Sequence, residues 1–341
     1  MRAVLPRSAR SFCSGLALLL VSGTSSARQI SGDPPNASGP TQVDFSVYLH
    51  DLTHVDSTRM VVTADVMLSL HWHDPRLADP SAAGLRTLDP EDVWHPKVVA
   101  VNQLSASPSW PDHLEVTPDG QVFQRMRLIG EFSSPLDLTD FPLDRQRLEL
   151  RFCSGTYEEN RVRFDGTALA DRTGLSRTLA LPDWRIGDWS VEIGSPRELP
   201  GSVNRAGFLL AVELERRFGY YITKVILPLA LIVFMSWIVF WIDPREIGSQ
   251  IGVATTSMLT LIAYRFSLDQ VVPPVSYLTR LDVFVLGSTV MVFLSLIEVT
   301  LTSHHAMQGR HAAALRLDRV ARVVFPLLFV ALVLWAFVAP S

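Results

Sequence analysis

Four long apolar segments fill the C-terminal third of the chain, at residues 222–242, 247–268, 281–301 and 323–339. The first holds a single charged residue, Lys224, and the last holds none. A bilayer core of roughly 30 Å is crossed by about 20 apolar residues in a helix, and each segment is close to that length. The sequence therefore predicts four transmembrane helices, which leaves the N-terminal two thirds to form a separate domain.

The N-terminus and the last linker predict the same orientation in the membrane. Residues 1–27 place Arg2, Arg7 and Arg10 before the apolar run "GLALLLVSG" and end in small residues, which is typical of a secretory signal peptide. The linker 302–322 is rich in arginine, which favours the cytoplasmic side. We therefore expect a multi-pass protein of the cell (inner or plasma) membrane, with its N-terminal domain and its C-terminus outside.

The exported region alternates apolar and polar residues with a period of two, as in residues 62–72, 148–152 and 208–214. Turns rich in Pro, Gly and Asp separate these stretches, a pattern typical of an antiparallel sandwich. Residues 28–41 are polar and rich in proline, which predicts a disordered leader. The expected fold is a β + α membrane protein: an extracellular immunoglobulin-like antiparallel β-sandwich at 42–217, followed by a four-helix transmembrane bundle at 218–341.

Composition excludes several classes of function. The net charge of −4 and the lack of a basic stripe argue against nucleic-acid binding. Cys13 leaves with the signal peptide, so Cys153 alone remains and no internal disulfide is expected. No triad, phosphate loop or carboxylate pair predicts an enzyme or a cofactor. His71 and His73 share a strand face and with Asp74 allow a metal site, but we favour a structural turn and expect no metal.

The second apolar segment contains an unusual group of hydroxyls, at Thr255, Thr256, Ser257 and Thr260. At about 100° per residue, one stripe of this helix is polar at its inner half and apolar at its outer half. It comprises Gly252, Thr256, Leu259, Ala263, Phe266 and Gln270. Such a stripe suits a water-filled pore closed by an apolar ring. On the hydroxyls alone, bonding back to helix carbonyls or to a neighbouring helix is the favoured alternative, and a pore also requires a ring of subunits.

Several motifs in one order add a family resemblance. They are "HWHDPRL" (71–77), "VWHPKVVAVN" (93–102), "FSSPLDLTDFPLDRQRLEL" (132–150), "LERRFGYYITKVILP" (214–228), "SWIVFWI" (236–242) and "VVPPVSY" (271–277). Together they resemble the pentameric ligand-gated ion channels, the Cys-loop receptor family, over residues 42–339. The resemblance implies helices M1 (220–242), M2 (245–268), M3 (279–302) and M4 (320–339), and a homopentamer whose M2 helices line the pore. Its partners would be identical subunits, the lipid bilayer, permeant ions, and a small-molecule ligand or protons.

Two departures from the family pattern indicate a prokaryotic type. Ser134 and Leu148 stand where animal receptors place the bridged cysteines of the signature loop, so that loop has no disulfide. The cytoplasmic linker between M3 and M4 is also short.

The resemblance also assigns roles to residues at the two ends of the extracellular domain. Coupling between sandwich and membrane is expected from Phe141, Pro142, Asp144, Arg216 and Pro273, with an ion pair between Asp144 and Arg216. The aromatic box that binds cationic amines aligns with Met67, Val101 and Gly155, and only Tyr157 keeps a ring. A quaternary ammonium ligand is therefore not expected. Arg197 or Arg205 could meet an anion, although a solvated charge is the favoured reading of an exposed loop.

Ion selectivity in the family is set near the ends of M2. Here Glu246 and Asp269 are the acidic candidates, and the Pro-Ala pair of anion-selective members is replaced by Gly248 and Ser249. We therefore expect a cation preference. Glu246 has an alternative explanation as part of a capping arrangement that starts at Asp243. The competing class of function is a non-conducting, membrane-anchored periplasmic binding or sensor protein. It would share the sandwich, the four spans and the signal peptide but would have no reason to keep the polar-then-apolar stripe.

Overall fold

The computed structural model describes residues 32–194, 204–268 and 274–338. Within these ranges twelve strands form two sheets, and four long helices follow them. The expected sandwich and helical bundle are thereby confirmed. The predicted signal peptide, 1–27, lies outside the described residues.

The strands are β1 (Thr41–Asp56), β2 (Val61–His73), β3 (Arg86–Leu88), β4 (Val98–Ala100), β5 (Gln103–Pro108), β6 (Leu114–Val116), β7 (Gln121–Ser133), β8 (Arg145–Glu158), β9 (Val162–Asp165), β10 (Gly174–Leu175), β11 (Trp184–Ile193) and β12 (Arg205–Arg216). Among the described residues the first sheet has the strand order β10-β1-β2-β7-β6-β3, and in addition β5 pairs with β7 and β9 pairs with β1. The second sheet has the order β11-β12-β8-β4. The long neighbours pair antiparallel, whereas β9 and β10 pair parallel to β1.

The core between the sheets consists of the apolar side chains that alternation placed on one face of each strand. In β2 every second residue from Val62 to Trp72 is buried, and in β8 Leu148, Leu150 and Phe152 are fully enclosed. Stacking of Phe208 between Phe45 and Phe152 joins the two sheets at centroid distances of 3.9 and 5.4 Å. Burial of this apolar surface is the main favourable term in forming the sandwich.

The turn after β2 is structural, as expected. Asp74 is fully buried and accepts hydrogen bonds from Arg76, through the backbone N–H at 3.0 Å and the guanidinium at 2.9 and 2.8 Å. It caps the short 3₁₀ turn Pro75–Leu77. Asp74 therefore orders the turn, and His71 points instead to Asp44 and Gln121, at 3.2 and 2.9 Å.

Part of the leader also contacts the sandwich. The backbone carbonyls of Gly32 and Asp33 accept hydrogen bonds from Tyr157 Oη at 2.8 Å and from Arg76 Nη1 at 3.0 Å. Residues 32 and 33 thus contact the folded domain, because side chains of the sandwich satisfy backbone groups that the leader cannot pair by itself.

The four long helices of the described chain are M1 (Gly219–Trp241), M2 (Ile247–Leu268), M3 (Arg280–Met307) and M4 (His311–Phe337). All four are long and apolar enough to cross a membrane. M1 includes a π-helical turn at Ile222–Ile226 and ends in a 3₁₀ turn. M3 begins with a capping box in which Thr279 and Asp282 satisfy each other's backbone N–H groups. M4 begins well before its apolar run.

The four helices do not all contact one another to the same extent. M1 and M3 contact M2 on one side, and M3 and the end of M1 contact M4. M2 and M4 therefore lie on opposite sides of the M1–M3 pair, which determines the surroundings that each of them can have in a larger assembly.

Candidate functional site

The sandwich and the helices meet at a buried ion pair. Arg216, the last residue of β12, donates from Nε to Asp144 Oδ1 at 2.7 Å and from Nη2 to Asp144 Oδ2 at 3.1 Å. The two side chains are only 5% and 1% exposed. This is the pair expected from the signature loop, and its two parallel bonds fix the end of β12 directly before M1.

Neighbouring groups complete the environment of this pair. Arg216 Nη2 also donates to Ser57 Oγ at 3.0 Å, and Gln146 Nε2 donates to Asp144 Oδ2 at 2.7 Å. The guanidinium carbon lies 4.1 Å from the ring centre of Trp184 and 4.9 Å from that of Phe141. The charges are therefore desolvated but satisfied, the arrangement in which loss of one partner is most costly.

The signature loop also contacts the helices directly. Leu138 N–H donates to Tyr277 Oη at 2.9 Å, and Arg280 Nε at the start of M3 donates to Asp140 Oδ1 at 2.6 Å. Phe141 is fully buried and packs edge-on against Tyr221 of M1, at 4.8 Å between ring centres. The peptide bond between Phe141 and Pro142 is cis. One loop thus touches the start of M1, the segment before M3, and M3 itself.

Sequence reasoning identified Phe141, Asp144 and Arg216 but missed other residues that form the contacts of this junction. The missed residues are Ser57, Asp140, Gln146, Trp184, Tyr277 and Arg280. Two of them carried a signal. Tyr277 ends the quoted motif "VVPPVSY", and an arginine directly before an apolar helix, as at Arg280, needs an anionic or polar partner near the interface.

The predicted stripe of M2 lies on the face that the other described residues leave uncovered. Leu259 and Phe266 are 66% and 70% exposed, and Gly252, Thr256 and Ala263 are also exposed. The opposite face is buried against M1 and M3 through Gln250, Ala254, Ser257, Leu261 and Leu268. The helical period thus separates a buried face, which packs against M1 and M3, from an exposed face that is polar at one end and apolar at the other.

The hydroxyls of M2 bond back to their own helix. Thr256 Oγ1 donates to Gly252 O, and Thr260 Oγ1 donates to Thr256 O, each at 2.8 Å. Ser257 Oγ donates to Val253 O at 2.9 Å. This is the alternative that the sequence favoured for the hydroxyls alone. It leaves the oxygen lone pairs of exposed Thr256 directed away from the helix, so back-bonding and a pore-lining position are compatible.

M2 begins at Ile247, directly after Glu246, rather than at the expected Arg245. Asp243 Oδ1 accepts from Arg245 N–H at 2.9 Å, which makes a turn before the helix instead of an N-cap. The carbonyl of Glu246 then accepts the N–H of Gln250 at 3.1 Å, and the Glu246 side chain is exposed. The other predicted residues Arg197, Asp269, Gln270 and Pro273 lie outside the described residues.

The positions that align with the family's ligand box are divided between the two sheets. Met67 lies on β2, whereas Val101 and Tyr157 belong to the β4 and β8 side of the sandwich. Tyr157 packs against buried Trp94, at 5.8 Å between ring centres, and its hydroxyl is bonded to the leader. Arg205 Nη1 donates to Gly155 O at 2.6 Å. Within one chain, therefore, no aromatic cage forms among the described residues at these positions.

Near the aligned ligand-box positions, the pKa of one histidine is shifted from its ordinary value. His95 is largely enclosed, and burial lowers the pKa of its imidazole below the ordinary 6.5, with nearby Lys97 acting in the same direction. The contact of Nδ1 with Val93 O, at 3.5 Å, offsets this only in part. The folded sandwich thus favours neutral His95.

A folded β-sandwich fixed through one buried loop to four membrane helices defines a transmembrane receptor. Two family models match the chain: the neurotransmitter-gated ion-channel ligand binding domain over residues 29–192, and the neurotransmitter-gated ion-channel transmembrane region over residues 225–313. The chain therefore belongs to the neurotransmitter-gated, Cys-loop ion-channel family, whose members are channels and not enzymes.

Individual relatives agree with this assignment. The chain is 28% identical over 316 residues to the proton-gated ion channel of Gloeobacter violaceus, which covers 88% of this chain and 83% of the relative. It is 31% identical over 289 residues to the glycine receptor subunit beta of Rattus norvegicus and of Homo sapiens, covering 79% of this chain. The chain spans 57% of the length of these receptor subunits. With its four membrane helices, the protein is a multi-pass membrane protein whose N-terminal domain is extracellular.

Proposed function

We propose that the chain is one subunit of a homopentameric channel in which five M2 helices line an ion pathway. The extracellular sandwich binds a small ligand or protons, and the junction of the signature loop with the helices transmits the change to M2. The pathway prefers cations. The uncovered stripe of M2 is the observation that carries this proposal.

The argument rests on the two helices at the edges of the bundle. In the apolar stretch of M2 and in that of M4, only 22% of the residues are buried, whereas the value is 44% in M1 and in M3. M2 is the least apolar of the four described helices and M4 the most apolar. Because lipid favours the apolar face and water the polar one, M4 faces lipid and M2 faces a wet axis.

A ring of subunits makes this axis a pore. One helix cannot enclose water, but rotational symmetry brings the same stripe from each subunit to a common centre. Leu259 and Phe266, the large apolar side chains of the stripe, then narrow the outer half until water leaves it. Gly252 and Thr256 keep the inner half wide and polar.

Cation preference follows from the direction of the oxygen atoms. The Thr256 proton is engaged by Gly252 O, so the hydroxyl presents lone pairs toward the axis, where they can replace part of a cation's hydration. Exposed Glu246, repeated around the ring, adds negative charge at the inner mouth. Asp269 would do the same at the outer mouth, within a screening length of about 8 Å at physiological salt.

The activator is the least constrained part of the proposal. The aligned box positions Met67, Val101 and Gly155 provide no rings for an amine. The relative from Gloeobacter violaceus is named for its gating by protons, so protons are the first activator to examine. A pH series recorded without added ligand separates proton gating from gating by a small molecule.

The test is current through bilayers that contain the purified protein. In a KCl gradient we expect a reversal potential close to that of potassium. Glu246→Gln and Asp269→Asn should each reduce the cation preference, and Arg245→Gln serves as a charge control that should not. A reversal potential near that of chloride would contradict the selectivity. No current at any pH or ligand concentration would favour the non-conducting sensor.

A further inference from the structure

M1 contains an irregular turn near its outer end. Over Ile222–Ile226 its hydrogen bonds follow the π pattern, so that Leu227 N–H bonds to Ile222 O, five residues earlier. Pro228 comes next and has no N–H to donate. The carbonyl of Lys224, four residues before Pro228, therefore lacks the donor that a regular α-helix would supply there.

M2 supplies a donor at this place. Tyr264 Oη lies 3.1 Å from Lys224 O and 3.0 Å from Val225 O. The single hydroxyl proton can serve either carbonyl, and an unpaired carbonyl at this depth would be costly because no bulk water replaces the lost bond. Tyr264 thus satisfies a defect of M1 from a neighbouring helix.

The position of Tyr264 on M2 gives this bond a direction. Leu259 and Phe266 lie on the uncovered stripe, whereas Tyr264 lies about 120° around the helix from its centre, toward M1. The bond therefore joins M2 to the helix behind it. A hydrogen bond on that side resists movement of the outer half of M2 toward the pore axis.

We propose that the Tyr264 hydroxyl is a positioning group for gating: by bonding to the Lys224 carbonyl, which Pro228 leaves without its helical donor, it holds the outer half of M2 away from the pore axis. This inference rests on the proposed pore function. Loss of the hydroxyl favours the closed pore, and one hydrogen bond of ordinary strength changes the open-to-closed ratio by roughly three- to tenfold.

A double-mutant cycle between Tyr264 and Pro228 tests the inference. Tyr264→Phe removes only the hydroxyl. Pro228→Ala returns a backbone N–H that can bond to Lys224 O and makes the hydroxyl redundant. In bilayers, with the Leu259→Ser background used to obtain openings without ligand, we expect Tyr264→Phe to lower the open probability roughly three- to tenfold. In the Pro228→Ala background the same change should have little effect. Tyr220→Phe, on a half-exposed ring of M1, is the matched control.

Hydrogen exchange measured by mass spectrometry tests the same hydrogen bond without requiring a current measurement. Tyr264→Phe should speed amide exchange in peptides that cover the π turn and Leu227–Trp237, and Pro228→Ala should abolish that difference. Unchanged exchange in Tyr264→Phe, or an equal effect of Tyr264→Phe on current in both backgrounds, would overturn the inference. Absence of current from every variant, with the exchange result intact, would instead overturn the proposed channel function.

Discussion

At the scale of single residues, the protein contains two kinds of functional candidate. One is a pair of buried charged groups that need bonding partners, and the other is a pair of apolar side chains that remain exposed. Asp144 and Arg216 are enclosed and hydrogen-bonded, whereas Leu259 and Phe266 are apolar and exposed. On the proposed function, the first pair transmits the gating change only while both members are present, and the second pair closes the pore by excluding water. Substitutions at the two places should therefore have opposite effects on current.

We expect Asp144→Ala and Arg216→Ala to abolish coupling before they prevent assembly. Removing either partner leaves a buried charge uncompensated, at a cost of about 3 kcal/mol. Both variants should migrate as pentamers in size-exclusion chromatography and give little current. The matched control is Arg145→Ala, because Arg145 is 82% exposed in its ion pair with Glu215 and should matter little. Normal gating in both junction variants would remove the pair from the mechanism.

The second prediction concerns the gate. Leu259→Ser should make the pore open more readily, because a hydroxyl at the narrowest ring retains water that leucine expels. Single-channel recording measures the open probability at rest. Ile251→Ser places the same change on an exposed residue of M2 that lies outside the stripe, and it should leave gating nearly unchanged. Equal effects of the two substitutions would show that the assigned face of M2 is wrong.

His95 predicts how stability depends on pH. Burial lowers the pKa of folded His95 below the value of 6.5 that the unfolded chain is expected to have. Between the two pKa values, His95 is therefore mostly protonated in the unfolded chain and mostly neutral in the folded chain. This contribution to stability is present above pH 6.5 and is lost as pH falls through the lower, folded pKa.

Thermal unfolding of the purified protein from pH 8 to pH 5 measures this effect. His95→Asn should flatten part of the decline, whereas exposed His54→Asn should leave the curve as in the parent protein. An unchanged pH dependence in His95→Asn would place the responsible group elsewhere.

At the scale of helices and strands, periodicity determined most of what could be predicted. The stripe of M2 and the buried faces of β2 and β8 follow from spacing alone, because one face of each element must be buried. The length of M4 did not follow from its apolar run. M4 begins at His311, since "HAAALRLDR" is rich in Ala, Leu and Arg, which favour helix whether or not they lie in lipid. Apolarity detects the membrane portion of a helix, not its ends.

Contacts between distant residues were less accessible from the sequence. The motif match gave the partnership of Asp144 and Arg216, but nothing local indicated that Tyr157 bonds to Gly32 or that Tyr264 bonds to M1. Those contacts depend on how elements pack, and spacing within one element does not contain that information. The π turn before Pro228 was likewise not visible, because a proline in M1 predicts an irregularity without its type.

Close packing of M3 against M4 gives a prediction at the same scale. A Cβ added at Gly287 would clash with the two terminal methyl carbons of Leu332. Gly287→Ala therefore requires the Leu332 side chain to move or the helices to separate; because the clashing atoms end a flexible side chain, we expect a cost near the lower limit of overpacking, about 1 kcal/mol. The expected observation is a lower thermal unfolding midpoint of the detergent-solubilised protein.

The control for this prediction is Gly248→Ala, whose new Cβ meets nothing within 4 Å and should not destabilise the helix. Adding Leu332→Ala to Gly287→Ala should give a smaller loss than the sum of the single changes, because the clash is relieved. Strict additivity would mean that the contact is not the cause.

At the scale of the whole molecule, the signature loop joins the extracellular domain to the membrane domain beside the covalent link from β12 to M1. Leu136, Leu138 and Phe141 of this loop belong to the same apolar core as M1 and M3, and Val55 and Met60 also pack against that core. The sandwich therefore has two boundaries: the first is closed by its own strands, and the second, which faces the membrane, is covered by the helices. On the proposed function, a displacement at the second boundary moves M1 and M3, which flank M2.

This second boundary also imposes an order on how the protein is made. The bond from Leu138 to Tyr277 joins residues 139 positions apart, so at typical synthesis rates roughly seven to thirty seconds separate the appearance of the two partners. During that interval the exported loop exposes its apolar side chains without the helices that will cover them. We therefore expect this surface to be covered by the bilayer interface or by a chaperone until M3 has been inserted. The membrane-facing surface of the extracellular domain is complete only once M1 and M3 are both in place.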